Sequence, residues 1–295
     1  MIVYDGLKTD FLRSVEMDTI AVEIEENIYN KMNRHTAQSE YRAWENSLEY
    51  MYKVLNDKEI PDDAGVAIEY NIPQTSKRVD FLISGFDDAH KGNVVIIELK
   101  QWDKVMAVDG KDGLVETFVG KSNKLLVHPS YQAWSYAMLI KDYNQAVQTN
   151  DILLWPCAYL HNYRRKPDDP LDKEQYHEYL EDTPAFTRGQ VDKLREFIKK
   201  CIVTGDKKEI IYAIDNVKIR PSKSLQDSIA KMLEGNQEFV MVDEQKVVYE
   251  EILSASRSSM EDGKKRVIIV QGGPGTGKTV IAVNLLSKLT NEDQF

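Results

Sequence analysis

Apolar positions recur at three- and four-residue spacing through residues 10–56, in Phe11, Ile20, Val22, Ile24 and Ile28 and again in Trp44, Leu48, Met51 and Leu55. That spacing predicts amphipathic helix. Asp62-Asp63-Ala64-Gly65 breaks the pattern, and the period then shortens. The segments 66–70 and 79–83 predict paired strands around a turn from Pro73 to Lys77. Residues 93–99 form a continuous apolar run, as expected of a strand buried on both faces. Helical spacing returns over 130–143, and 152–159 is a further strand candidate.

The order helix, strand, strand, strand, helix, strand predicts a mixed α/β domain over residues 1–203. Residues 161–189, with Pro167, Asp168, Asp169, Pro170 and Pro184, predict a polar excursion or linker. A charged helix over 189–203 and a short strand over 209–214 follow, the latter inside a connecting segment, 204–221. A second unit over 222–295 is expected to hold helices at 225–233 and 244–253, a strand at 266–270, a glycine loop and a helix at 280–289. An unpaired edge on the 266–270 strand would favour aggregation or pairing between copies.

Composition narrows the function classes. With 295 residues, 42% of them hydrophobic and 29% charged, the chain has room for two modest domains. Cys157 and Cys201 lack the close Cys or His partners of a zinc site and cannot make a disulfide framework, which predicts a cytoplasmic setting. The first residues lack a basic flank and apolar run, and no segment approaches the about 18 uninterrupted apolar residues of a membrane span, so no membrane role is expected. A net charge of -10 argues against a surface wholly coated in nucleic acid. Basic clusters at Lys77-Arg78, at Arg164-Arg165-Lys166 and along Lys193, Arg195, Lys199 and Lys200 leave room for a local positive groove.

Gly272-Gly273-Pro274-Gly275-Thr276-Gly277-Lys278-Thr279 satisfies G-x-x-x-x-G-K-[ST] between an apolar run and an amphipathic helix, the context that gives this pattern its specificity. Glycines let backbone N–H groups wrap a phosphate, and the helix start adds partial positive charge. Lys278 is placed to neutralise the β and γ phosphates of ATP, and the Thr279 hydroxyl to ligate Mg²⁺. Gln245 opens a helix upstream and resembles the adenine-reading glutamine of superfamily 1 helicases, an amide that donates to and accepts from adenine at once. The residues after Thr279 hold no Asp-Glu strand and no arginine finger, so the sequence is expected to be part of a longer ATPase.

A second constellation lies upstream. Asp80 falls on a strand after a hairpin, and the next strand carries Glu98-Leu99-Lys100. Positions two apart on a strand share a face, so Glu98 and Lys100 project together. Two carboxylates from adjacent strands suit Mg²⁺ or Mn²⁺, and a nearby lysine can stabilise charge growing on a phosphate. Taken singly, an E-x-K on an apolar strand is commonly an ion pair. Trp102, Tyr131, Trp134 and Trp155 would stack bases if exposed.

Asp80 with Glu98-Leu99-Lys100 resembles the PD-(D/E)XK nuclease superfamily. Glu40, in Ser39-Glu40-Tyr41-Arg42-Ala43-Trp44, stands where such folds supply a further acid, and Gln132-Ala133-Trp134-Ser135-Tyr136 is similar to the Q-x-x-x-Y helix of the RecB-like branch. With Gln245 and the glycine loop, the chain resembles the bacterial Schlafen group 3-like DNA/RNA helicase family. The resemblance implies a restriction-endonuclease-like mixed sheet flanked by helices, followed by the start of a RecA-like ATPase domain. It implies metal on Asp80 and Glu98, Lys100 assisting the water, Glu40 in support, and Gln132 with Tyr136 positioning nucleic acid, DNA ahead of RNA, in repair or defence. Two alternatives stay open: an inactive nuclease fold that binds, with the loop as a nucleotide switch, and a signalling NTPase.

Overall fold

The computed structural model describes residues 1–73, 75–216 and 239–291. The helix expected at 225–233 lies outside the described residues. Strand β1 (Ile2–Leu7) precedes three helices, α1 (Lys8–Glu16), α2 (Ile20–Met32) and α3 (Gln38–Leu55). Strands β2 (Gly65–Asn71), β3 (Arg78–Phe86) and β4 (Gly92–Lys100) follow. A small antiparallel sheet, β5 (Met106–Ala107), β6 (Leu114–Val119) and β7 (Ser122–Val127), comes before helices α4 (Pro129–Tyr143) and α5 (Gln145–Thr149). Then come β8 (Leu153–Leu160), α6 (His177–Asp182), β9 (Ala185–Thr187), α7 (Val191–Cys201) and α8 (Glu209–Asp215). Helices α9 (Glu244–Asp262) and α10 (Lys278–Asn291) carry the remainder.

The main sheet has the order β1-β2-β3-β4-β8-β9. Its first four strands are antiparallel neighbours, whereas β8 lies parallel to β4 and β9 parallel to β8. A parallel pair needs a crossover, and the segment containing α4 provides it. Side-chain alternation buries the sheet on both faces. Phe81, Ile83, Val95 and Ile97 pack with Phe11, Ile24, Leu48 and Met51 of α1 to α3, while Leu82, Val94 and Ile96 pack with Tyr136 and Ile140 of α4 and Ile211 of α8. The continuous apolar run predicted for β4 follows from this double burial. Cys157 and Cys201 are free and buried in the first of these cores.

Two expected strands are otherwise. Residues 209–214 are helical because Ile210, Ile211 and Ile214 lie on one helix face and are all buried. Asp206 sets the helix start. Its carboxylate accepts from Ile210 N at 3.0 Å, from Gly65 N at 2.9 Å and from Ser84 Oγ at 2.7 Å, tying α8 to β2 and β3. Residues 266–270 form no strand; Val267 and Ile269 are 81% and 77% exposed. Among the described residues no neighbouring strand supplies their hydrogen bonds, and an apolar run without a partner stays loop. The helical region 10–56 proves to be three helices, and β1, β5 to β7 and β9 were not foreseen.

Helix α9 docks on the small sheet and α4. Lys246 Nζ, buried, lies 2.9 Å from both Glu250 and Asp112 and stacks over the Tyr131 ring, and Tyr131 Oη donates to Met241 O at 2.7 Å. Met241, Tyr249 and Leu253 then pack with Ile281 of α10. No helix among the described residues is long and apolar enough to cross a membrane.

Candidate functional site

The β3–β4 ladder ends with Phe81 opposite Ile97, which puts Asp80 and Glu98 at the next position on the two strands. Asp80 Oδ2 accepts from Leu99 N at 2.8 Å, fixing the carboxylate against β4. Glu98 and Lys100 share the pleat face of Val94 and Ile96, toward α4. Lys100 Nζ donates to Glu98 Oε1 at 2.7 Å, while Glu98 Oε2 is buried with no hydrogen-bond partner. Burial, and then the adjacent Asp80 charge, push the Glu98 carboxyl well above its ordinary range. Asp80 is raised as well, by burial, against the lowering pull of Lys100 and the Leu99 amide. Lys100 is raised by the two acids despite its own burial. An orphaned carboxylate oxygen beside a second acid is a place where a cation lowers the free energy.

Beside this pair runs an ion-pair chain. Arg78 Nη1 lies 2.6 Å from Glu40 Oε1 and 2.8 Å from Glu69 Oε2, and Arg34 reaches Glu40 at 3.3 Å. Glu40 therefore joins the Asp80 surroundings by way of Arg78. The buried acid nearest in character to the expected third carboxylate is Glu69. Its Oε1 accepts from Trp44 Nε1 at 2.8 Å, and burial followed by the Asp80 charge raises it to about 7. Glu69 has φ +56°, a left-handed conformation uncommon for glutamate, at the point where β2 switches from the α1–α3 core (Ile68) to the α4 core (Tyr70). No sequence pattern announced it.

Gln132 and Tyr136 lie one turn apart on α4, and Gln132 Nε2 donates to Tyr136 Oη at 2.9 Å. Tyr136 Oη then donates to Asp243 Oδ2 at 2.6 Å, and Lys77 Nζ lies 2.8 Å from the same oxygen. Burial first, then the Glu98 and Asp243 charges, raise the Tyr136 phenol, so the pair on α4 and the acids of the sheet share one electrostatic environment. The helix is held by His128. This buried imidazole caps α4 through Nδ1, which accepts from Ser130 N at 3.1 Å, and its Nε2 lies 3.2 Å from Leu171 O.

Of the basic clusters, Lys77-Arg78 reaches the site; in the others Arg165, Arg195 and Lys199 brace the fold, and Arg164, Lys166, Lys193 and Lys200 are exposed. Arg195 donates to the Val54 and Lys53 carbonyls, Lys199 pairs with Glu59 and Glu196, and Arg165 donates to Ala185 O. Tyr131 is buried and Trp102, Trp134 and Trp155 are half-buried, so none of the four is an open stacking platform. Trp155 Nε1 instead donates to Asn93 Oδ1 at 2.6 Å.

In the glycine loop, Gly275 and Gly277 have φ +74° and +82°, the left-handed region that glycine alone enters freely. Lys278 Nζ donates to the Gly272 and Gly273 carbonyls, both at 2.7 Å, and Thr276 Oγ1 to Gly273 O at 2.9 Å. Pro274 sits at the exposed crest, and Thr279 is exposed on the first turn of α10. Gln245 lies against this loop: its Nε2 donates to Thr276 O at 3.1 Å, and a Cβ at Gly277 would fall 2.2 Å from it. A cavity of about 510 Å³ opens between loop and α4, lined by Lys77, Tyr143, Gln245, Gly272, Gly277 and Lys278 among others.

The Schlafen group 3 DNA/RNA helicase domain matches residues 265–295. The matched stretch contains the whole glycine loop and none of the sheet. No curated protein and no solved structure matches the chain. The match links the loop region to a helicase-type, nucleic-acid-related domain; the carboxylate cluster rests on its own geometry.

Among the described residues no three acidic, histidine or cysteine side chains form a ready metal cluster. Asp80 and Glu98 offer two carboxylates, which suits a cation such as Mg²⁺ that keeps several waters and completes its shell with phosphate oxygens.

Proposed function

We propose that the sheet carries a metal-dependent phosphodiesterase site for nucleic acid, joined in the same chain to an ATP-binding loop of helicase type. The observation that carries it is the buried, unpartnered Oε2 of Glu98 at the strand position opposite Asp80, with Lys100 Nζ 2.7 Å from the other oxygen. Lys100 and the Leu99 amide offset part of the charge of the two acids, and a cation at the unpartnered oxygen of Glu98 would offset more of it.

In this reading Asp80 and Glu98 hold Mg²⁺ or Mn²⁺, which supplies Lewis-acid activation of a water and neutralises phosphate charge. The Lys100 ammonium stands beside Glu98, where it stabilises negative charge developing on the phosphate. Arg78, between Glu40 and Glu69, offsets part of the repulsion between Glu69 and Asp80. Gln132 and Tyr136 present an amide and a phenol on the α4 side for backbone oxygens of the substrate. At the loop, backbone N–H groups of Gly273 and of Gly275 to Gly277 with Lys278 receive the triphosphate of ATP, Thr279 its Mg²⁺, and Gln245 the adenine. The helicase-domain match over residues 265–295 supports the nucleic-acid context.

The test is cleavage of end-labelled single- and double-stranded DNA and RNA with Mn²⁺ or Mg²⁺, comparing the chain with Glu98→Ala and Lys100→Ala. Metal-dependent cutting that disappears in both variants is expected and identifies the substrate. Binding without cutting under every metal would favour an inactive nuclease fold acting as a binding module.

A further inference from the structure

Asp243 begins α9 at the position where aspartate ordinarily accepts a hydrogen bond from the first-turn amides. It makes no such bond. Its backbone instead takes φ +43° and ψ -111°, a conformation that strains a non-glycine residue. The carboxylate turns away from the helix into the sheet site. There Oδ2 receives the Tyr136 hydroxyl at 2.6 Å and the Lys77 ammonium at 2.8 Å, Gln132 supports Tyr136 at 2.9 Å, and Oδ1 is buried without a hydrogen-bond partner. Capping alone explains neither the strain nor the orientation. Lys77 also meets Glu244 at 2.5 Å, but that side chain is 83% exposed and its hold is screened by solvent.

Two donors of different type, an ammonium and a phenol, thus converge on one anionic oxygen near Glu98 and Lys100, and the Gln132 amide holds the phenol in place. We infer that Lys77 and Tyr136, the latter positioned by Gln132, form a subsite for a backbone phosphate of nucleic acid, and that the Asp243 carboxylate fills it as an internal competitor. A phosphate oxygen carries the same charge and accepts the same hydrogen bonds, so substrate entry requires Asp243 to leave. Two residues on, Gln245 is fastened to the glycine loop through Thr276 O, so the competitor belongs to the same short segment as the nucleotide contact. The subsite rests on the phosphodiesterase reading for its role, and its binding can be measured apart from it.

The experiment is fluorescence anisotropy of a labelled oligothymidylate in EDTA, where no cutting occurs, with the wild-type chain, Asp243→Asn and Asp243→Gly. Asparagine removes the charge and keeps the shape; glycine also relaxes the positive φ, so the pair separates loss of charge from relief of strain, with far-UV circular dichroism checking the fold of each. Both should bind about tenfold tighter. The slope of log affinity against log salt should steepen by about 0.7, one further phosphate contact on a single strand. Lys77→Met added to Asp243→Asn should restore the parental slope, a readout that a purely structural role for Asp243 would leave unchanged. Unchanged or weaker binding in both variants, or a slope indifferent to Lys77, overturns the subsite. Tighter binding with no metal-dependent cleavage in any variant would keep the subsite and remove the phosphodiesterase.

Discussion

Glu98 stands near the end of a strand with hydrogen-bonded neighbours on both sides, β3 and β8, whereas the glycine loop follows residues 266–270, which pair with no strand among the described residues. Ile97, one position before Glu98, is fully buried; Ile269, just before the loop, is 77% exposed. The two regions differ in the opposite sense in sequence. The loop is legible from eight consecutive residues because the phosphate binding proposed for it draws on local backbone N–H groups and one lysine. The carboxylate site has only scattered letters, because its chemistry needs side chains brought from β3, β4, α4 and the start of α9. Motif clarity and structural completeness are therefore separate properties, and in this chain they fall on different regions.

The largest expected effect separates the two sites functionally. Glu98→Ala should lower metal-dependent cleavage on the order of a thousandfold, about 4 kcal/mol of barrier, while Lys278→Ala should leave cleavage of short strands within a few fold. Equal losses in single-turnover assays would show that the regions do not act independently. In stability, Ile97→Ala should cost roughly 2–5 kcal/mol by urea denaturation, through a cavity between β4 and α3.

A pH effect of similar size concerns the helix bearing Gln132 and Tyr136. Burial holds His128 down at about 4 from 6.5, so the folded state disfavours its protonated form. Stability from the neutral ring is complete above 6.5 and is lost as pH falls toward about 4, amounting to about 3 kcal/mol. Wild type should lose that much more than His128→Asn over this interval, and parallel stability curves for the two would contradict the assignment. The smallest effect is the sharpest contrast: Ile269→Ala should change stability by less than about 0.5 kcal/mol. A cost near that of Ile97→Ala would mean that residues 266–270 are packed.

Much of this was legible beforehand. The strands carrying Asp80, Glu98 and Lys100, the helix with Gln132 and Tyr136 on one face, and the helix that follows the glycine loop all follow from period and spacing. Glu209 to Ile214 misled because isoleucine-rich runs suit strand and helix alike, and only the Asp206 contacts to Gly65 and Ser84 decide between them. The apolar residues 267–270 read as strand because composition reports a preference for pairing and cannot supply the partner. Glu69 and Asp243 were missed for a common reason. Each takes a positive φ and reaches the site through a backbone departure that side-chain periodicity does not encode. Lys77 was visible as half of a basic cluster, but its partner, Asp243, lies 166 positions along the chain.

The most direct test is a Mn²⁺ titration without nucleotide, followed by calorimetry or by the Mn²⁺ paramagnetic resonance signal, on wild type, Asp80→Asn, Glu98→Gln and Lys278→Ala. One saturable ion bound by wild type and Lys278→Ala and lost in Asp80→Asn and Glu98→Gln is the predicted result. No saturable binding, or binding that survives both carboxylate substitutions, would contradict a metal site at Asp80 and Glu98.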